Sequence, residues 1–177
     1  YTIVAPASGC INVGISLGIV ALDDTDLQLA LYSVGGDCDD FESFELVAAN
    51  DDGGFVFAPL IRNAVVVPGE TYYIQLDGYN GTIGSGYLEI TSECSSGQPS
   101  PSPTLTGKPS PSPLPAPAND NVCQATAAAV GTTLYTTFLA TGQDGEPAPP
   151  GVPCGDKSFD QNGWCAGANF IENSVWY

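Results

Sequence analysis

The stretch Thr71-Tyr72-Tyr73-Ile74-Gln75-Leu76-Asp77 decides the fold class. In an extended chain successive side chains point to opposite faces, so Tyr72, Ile74 and Leu76 share one side. Aromatic and β-branched residues favour that conformation. Leu27-Gln28-Leu29-Ala30-Leu31-Tyr32 alternates in the same way with Leu inward, and so does Tyr87-Leu88-Glu89-Ile90. Between these runs stand Gly35-Gly36-Asp37, Asn50-Asp51-Asp52-Gly53-Gly54, Pro68-Gly69 and Asn80-Gly81, all turn chemistry. Short strands at regular spacing, separated by such turns, predict an all-β chain folded as an antiparallel β-sandwich.

Composition agrees. The 177 residues include 21 Gly and no Met, and Lys plus Arg number only 3. That length holds one good-sized domain, or a domain with a linker. The net charge of −17, with only Arg62, Lys108 and Lys157 positive, excludes nucleic-acid binding through a basic surface and disfavours anionic membranes. No stretch reads as a membrane insertion. Six cysteines without a Cys-x-x-Cys pair, in an acidic Ser/Thr/Pro-rich chain, point to disulfides and an extracellular or cell-surface location. The absence of histidine removes the commonest general base and the commonest transition-metal ligand. Without His, and with no Gly-x-Ser-x-Gly, serine catalysis has no machinery; Gly84-Ser85-Gly86 reads as a turn. With 20 acids, carboxylate pairs arise by chance, so no glycosidase is inferred.

Residues 95–117 carry eight Pro and eight Ser or Thr, with no acid and no aromatic. Such a segment cannot bury enough surface to fold, and reads as an extended polyproline-II linker. Its Ser100, Ser102, Thr104, Thr106, Ser110 and Ser112 are O-glycosylation candidates by their mucin-like spacing among prolines. The linker divides the chain into a strand-rich part, 1–94, and a looser part, 118–177. In the second part Gly131 to Thr141 holds a strand or strand pair, and Gly142 to Gly167 is a Gly/Pro/Asp loop. That part has too little periodic apolar sequence to fold alone, so it must complete a sheet with 1–94 of the same or a neighbouring copy.

The chain ends support that reading. Asn173-Ser174-Val175-Trp176-Tyr177 and Tyr1-Thr2-Ile3-Val4-Ala5-Pro6 each read as half a strand. Joined tail to head they make one strand, with Val175, Trp176, Tyr177, Thr2, Ile3 and Val4 as an inter-unit strand. The expectation is one repeat of a longer array, or a subunit completed by its neighbour.

Several motifs resemble the bacterial pre-peptidase C-terminal domain. Asn119-Asp120-Asn121-Val122-Cys123, Val130-Gly131-Thr132-Thr133 and Val175-Trp176-Tyr177 look like its first half. Ala5-Pro6-Ala7-Ser8-Gly9, Asp26 to Tyr32, Asn50 to Gly54 and Pro68 to Gly78 look like its second. The resemblance implies a secreted, non-catalytic, jelly-roll-like sandwich, appended to proteases or repeated in surface proteins. Some relatives bind calcium, and some collagen or glycans. The order of the halves is reversed here, so the implied domain is 118–177 followed by 1–94 of the next copy. The family's Trp-Tyr strand leaves room for one Tyr at the seam, whereas Tyr177 and Tyr1 supply two.

Acidic turns are the candidate metal site. Asp23, Asp24 and Asp26 precede one strand, and Asn50, Asp51 and Asp52 precede another; together they offer oxygen ligands of the kind calcium takes. The alternative is that they simply cap turns. Cys154 and Cys165 are expected to pair within their loop. Cys10–Cys38 and Cys94–Cys123 are one assignment of the rest among the fifteen that six cysteines allow. Asn80-Gly81-Thr82 is an N-glycosylation sequon or a plain Asn-Gly hairpin. Trp176, Tyr177, Tyr1, Tyr72, Tyr73, Tyr79 and Tyr87 read either as a sugar-stacking face or as core. The function expected is a non-enzymatic repeat of an extracellular filament or stalk, with other copies as partners and covalent glycans on the linker. The alternative is a calcium-dependent glycan- or collagen-binding module of a secreted protease or adhesin.

Overall fold

The computed structural model describes residues 2–17, 26–54, 57–94, 117–153, 162–165, 171 and 173–176. The described residues form eleven strands: β1 (Thr2–Val4), β2 (Cys10–Leu17), β3 (Leu27–Val34), β4 (Phe44–Asn50), β5 (Leu60–Val65), β6 (Thr71–Gly78), β7 (Ser85–Thr91), β8 (Gly131–Thr136), β9 (Gly151–Val152), β10 (Trp164–Cys165) and β11 (Val175–Trp176). One antiparallel sheet runs β1-β6-β3-β4, with β11 also on β6; the second runs β5-β2-β7-β8. β9 and β10 form a small parallel pair.

Ile11, Val13 and Ile15 of β2, Ile61 of β5 and Leu88 and Ile90 of β7 share one core with Leu27, Leu29 and Leu31 of β3 and Tyr72, Ile74 and Leu76 of β6. Each large side chain removed from water contributes about 1.5–3 kcal/mol, so this layer between the sheets dominates the fold's stability. It makes the molecule a β-sandwich. Gly84-Ser85-Gly86, read as a turn, instead leads into β7: Ser85 and Gly86 pair with Thr136 and Tyr135.

The first sheet is buried on both faces. On the side away from the main core Ala30, Tyr32, Ala49, Val122, Trp164 and Trp176 form a second cluster, half of it contributed by residues beyond 117. Gln28, Gln75 and Asp77, which alternation alone would turn to solvent, are therefore fully buried under it.

Turns behave as their residues demand. Gly69 (φ +86) follows Pro68 between β5 and β6, a conformation that strains any residue with a Cβ. Asn80 (φ +50) and Gly81 (φ +71) form the Asn-Gly turn after β6, and the Asn80 side chain is exposed.

The cysteine pairing differs from the expectation. Cys10 bonds Cys94 (Cα–Cα 6.1 Å) and Cys38 bonds Cys123 (5.2 Å), so neither Cys10–Cys38 nor Cys94–Cys123 forms. The antiparallel pairing of β2 with β7 brings Asn12 opposite Thr91, and so carries Cys10 towards Cys94 just beyond the end of β7. Cys165 is also disulfide-bonded, while Cys154 lies outside the described residues. So do the linker Ser and Thr candidates and Asp23, Asp24, Tyr1 and Tyr177.

Candidate cation centre and strand clasp

Two groups of buried polar side chains stand out among the described residues. The first lies where β3 begins and β4 ends. Asp26 is held by the turn after β6: its carbonyl accepts from Tyr79 N and from Thr82 Oγ, each at 2.9 Å. Asp51 and Asp52 are set by the turn after β4. Within that turn Asn50 Oδ1 accepts from Gly53 N and Leu60 N, both at 2.8 Å. A Cβ on Gly53 would come within 2.5 Å of that amide, so the turn requires glycine there. Asn50 thus braces the turn through its side-chain oxygen.

One carboxylate oxygen from each of Asp26, Asp51 and Asp52 lies within 4.8 Å of the others. Asp51 is 3 % exposed and Asp52 6 %. Asp51 Oδ2 accepts from Gln28 Nε2 (3.2 Å) and Cys165 N (2.9 Å). Oδ1 of Asp26, Asp51 and Asp52, together with Gln28 Oε1, are buried with no hydrogen-bond partner among the described residues. Burial first, then the charges of Asp51 and Asp52, push the Asp26 carboxyl up to about 7. Burial also raises Asp51, against the hydrogen bonds from Gln28 and Cys165 that favour its charged form. Asp26 and Asp51, desolvated beside Asp52 with buried unpartnered oxygens, are costly as anions, and either protons or a cation relieves them. The donors are all oxygen, which fits a hard divalent ion; calcium takes about six to eight such ligands. Asp26, Asp51 and Asp52 would hold it, with the Gln28 amide oxygen beside them. The centre adjoins the second part of the chain through Cys165 N on Asp51. Nearby, Asn173 N donates to Asp77 Oδ1 at 2.9 Å.

The second group clasps the final strand. Trp176 is fully buried against Tyr32, Phe41 and Phe44, with ring centroids 6.0, 6.3 and 5.7 Å away. Glu146, from the loop before β9, accepts from Ser174 Oγ (2.6 Å), Trp176 Nε1 (3.2 Å), Gln143 N (3.0 Å) and Gln75 Nε2 (3.3 Å). Burial raises its carboxyl, while these four donors favour the charged form. Burial and the Glu146 charge hold the Tyr32 phenol far above its ordinary range, and its hydroxyl donates to Pro147 O at 2.9 Å. The other edge of β11 is closed by Asn119: Trp176 N donates to Asn119 O (2.9 Å) and Asn119 Nδ2 to Trp176 O (3.1 Å). The Asn-Asp-Asn motif is thus a clasp. Asp120 accepts from Thr141 N and Oγ, and Asn121 caps Cys123 N.

β11 and β1 lie end to end on one edge of β6. Val175 pairs with Leu76 and Trp176 with Gln75; Thr2 pairs with Tyr73, Ile3 with Tyr72 and Val4 with Thr71. One pairing position on β6, that of Ile74, remains between them, and Tyr177 and Tyr1 lie outside the described residues. Of the residues read as an inter-unit strand, Val175, Trp176 and Ile3 are buried and Val4 is exposed. The same burial removes Trp176 and Tyr72 from any sugar-stacking face. Sequence reasoning missed Gln28 and Asp77, which alternation turns to solvent, and Glu146, which no turn or periodic signal marks.

Among the described residues no helix is long and apolar enough to cross a membrane. The disulfides fit an oxidising environment. In comparisons with protein-family models, curated proteins and solved structures, nothing matches this chain.

Proposed function

We propose that the chain is a non-enzymatic structural unit of an extracellular filament or cell-surface stalk, its units joined through the strand shared on β6 and through the linker. The observation that carries this reading is the end-to-end placement of β11 and β1 on one edge of β6, with a single pairing position between them. In a row of copies the tail of one unit and the head of the next can seal one strand, so that main-chain hydrogen bonds run from unit to unit. Disulfides and a core on both faces of the first sheet suit a load-bearing role. The near-complete burial of Asp51 and Asp52 argues against a hydrolytic pair open to substrate. A resemblance of the Asn119–Cys123 and Pro68–Gly78 stretches to pre-peptidase C-terminal domains would imply a secreted jelly-roll sandwich. The Pro/Ser linker and exposed Asn80 are the sites where glycans would be attached.

Electron microscopy of the oxidised protein at rising concentration tests this. Fibres with a regular axial repeat are expected; dispersed particles at every concentration would refute it.

The acidic centre favours a second reading, a calcium-dependent accessory module that binds glycan or collagen. Calcium-dependent retention on immobilised collagen or polysaccharide, without fibres, would select it.

A further inference from the structure

We infer that residues 117–176 complete the sandwich of a second copy of this chain, with Cys38 of one copy bonded to Cys123 of the other. The inference rests on the filament reading above and gives the filament a covalent joint.

Among the described residues, 117–176 place their sheet-forming strands β8 and β11 in sheets built on 2–94. β8 pairs with β7 and β11 with β6, and the only ladder internal to the segment among the described residues is the two-residue β9–β10 pair. Further hydrogen bonds also tie it to 2–94. Trp164 Nε1 donates to Leu29 O at 3.0 Å, Cys165 N to Asp51, Asn173 N to Asp77, and Ala128 N to Thr2 O at 2.9 Å. A second copy's 2–94 offers the same partners. The closed and exchanged forms therefore contain the same contacts, and the tether decides between them.

That tether is the 22 residues between Cys94 and Pro117. Fully extended, a Pro-rich segment of this length spans about 70 Å. A domain of this size is about 40 Å across, so the segment can reach a neighbour. A tether holds its segment at an effective concentration set by its length, of order millimolar for short linkers. Copies packed more densely than that exchange; dilute copies stay closed.

The two disulfides respond differently. Cys10 and Cys94 both belong to 2–94, so their bond always lies within one copy. Cys38 and Cys123 lie on opposite sides of the tether, so exchange converts their bond, and no other bond between described cysteines, into a link between copies. Oxidation then fixes the arrangement. The two thiols lose two electrons and two protons as the sulfur–sulfur bond forms, and an external disulfide such as oxidised glutathione is reduced to two thiols.

The test mixes equal amounts of ¹⁴N- and ¹⁵N-labelled full chain, reduced and unfolded together, then reoxidised with glutathione at micromolar and millimolar concentrations. Digested, non-reduced peptides are read by mass spectrometry. At high concentration about half of the Cys38–Cys123 peptides should pair light with heavy, as random exchange requires, falling towards none on dilution. Cys10–Cys94 should stay isotopically pure throughout. Non-reducing gels should show multiples of the 18.2 kDa chain that collapse on reduction. Pure isotopes at Cys38–Cys123 at every concentration would overturn the inference, and so would mixed isotopes in both linkages, which mark random oxidation. Where refolding fails, co-secretion of the two labelled chains from one culture medium gives the same readout. Fibres with pure isotopes would leave the filament reading standing without exchange. Mixed isotopes without fibres would do the reverse.

Discussion

Residues 2–94 and 117–176 contribute to one sandwich in opposite ways. The first part supplies seven of the eleven strands, most of the core and a disulfide of its own, Cys10–Cys94. The second supplies one strand to each sheet, the cover over the outer face of the first sheet, and the Glu146 clasp. A segment whose two longest-range strand pairings, β8 on β7 and β11 on β6, are made with another segment gains much of its stability from docking, so its order should be lost before the rest of the molecule unfolds.

The sharpest way to separate the two parts is Trp176→Ala. Removing a fully buried Trp from its aromatic cage should cost about 3–5 kcal/mol, measured by denaturant unfolding. It should also expose 117–176 to protease before 2–94. Simultaneous digestion of both parts would break the distinction.

Next come the disulfides. The bonded residues are separated by 84 and 85 positions, so each closes a loop of nearly the same length in a closed chain. Replacing either pair with serine should cost a similar amount, about 2–4 kcal/mol in dilute solution. Only the loss of Cys38–Cys123 should free the second part on its own, as read by hydrogen exchange.

The acidic centre joins the parts through Asp51, and pH probes it. The Asp26 carboxyl is raised from 3.8 to about 7, so between those values the folded state binds more protons than the unfolded. Stability from this group is therefore present at acid pH and lost as pH rises through that window. Calcium should reverse the loss at neutral pH, by about 2.7 kcal/mol at a hundredfold excess over its dissociation constant. Asp51→Asn should blunt the calcium response; an unchanged thermal shift with the variant would remove the centre from consideration.

The smallest effect expected is from Glu146→Gln, about 1–3 kcal/mol. The shape is kept, but an acceptor for Ser174, Trp176 and Gln75 becomes a half-donor. Hydrogen exchange at β11 should rise with little change in β2 or β7.

What the sequence disclosed follows the same division. β3, β6 and β7 alternate cleanly, so the fold class and the inward faces of Leu29, Ile74 and Leu88 were legible. β2 and β5 were not. Their register shifts between Ile11 and Val13, and Asn63 sits at φ +52, so a bulge blurs the period. Asp26, Asp51 and Asp52 were visible as turn acids. Asn50 shared their signal and turned out to brace the backbone. Gln28 and Asp77 were hidden because their burial depends on a cover made by distant residues. Glu146 sits in a Gly/Pro loop with no period at all. The cysteine pairing depends on which strand ends meet in space, which spacing along the chain does not encode.

The central claim is that 117–176 is an integral part of a sandwich built on 2–94. It is tested most directly by inserting a specific protease site at Gly107, cutting the oxidised protein there, reducing its disulfides, and measuring mass by size exclusion with light scattering. The two pieces should elute together, held by β8, β11 and the Trp176 cage without any covalent link. Separation into two independent pieces under native conditions would contradict it.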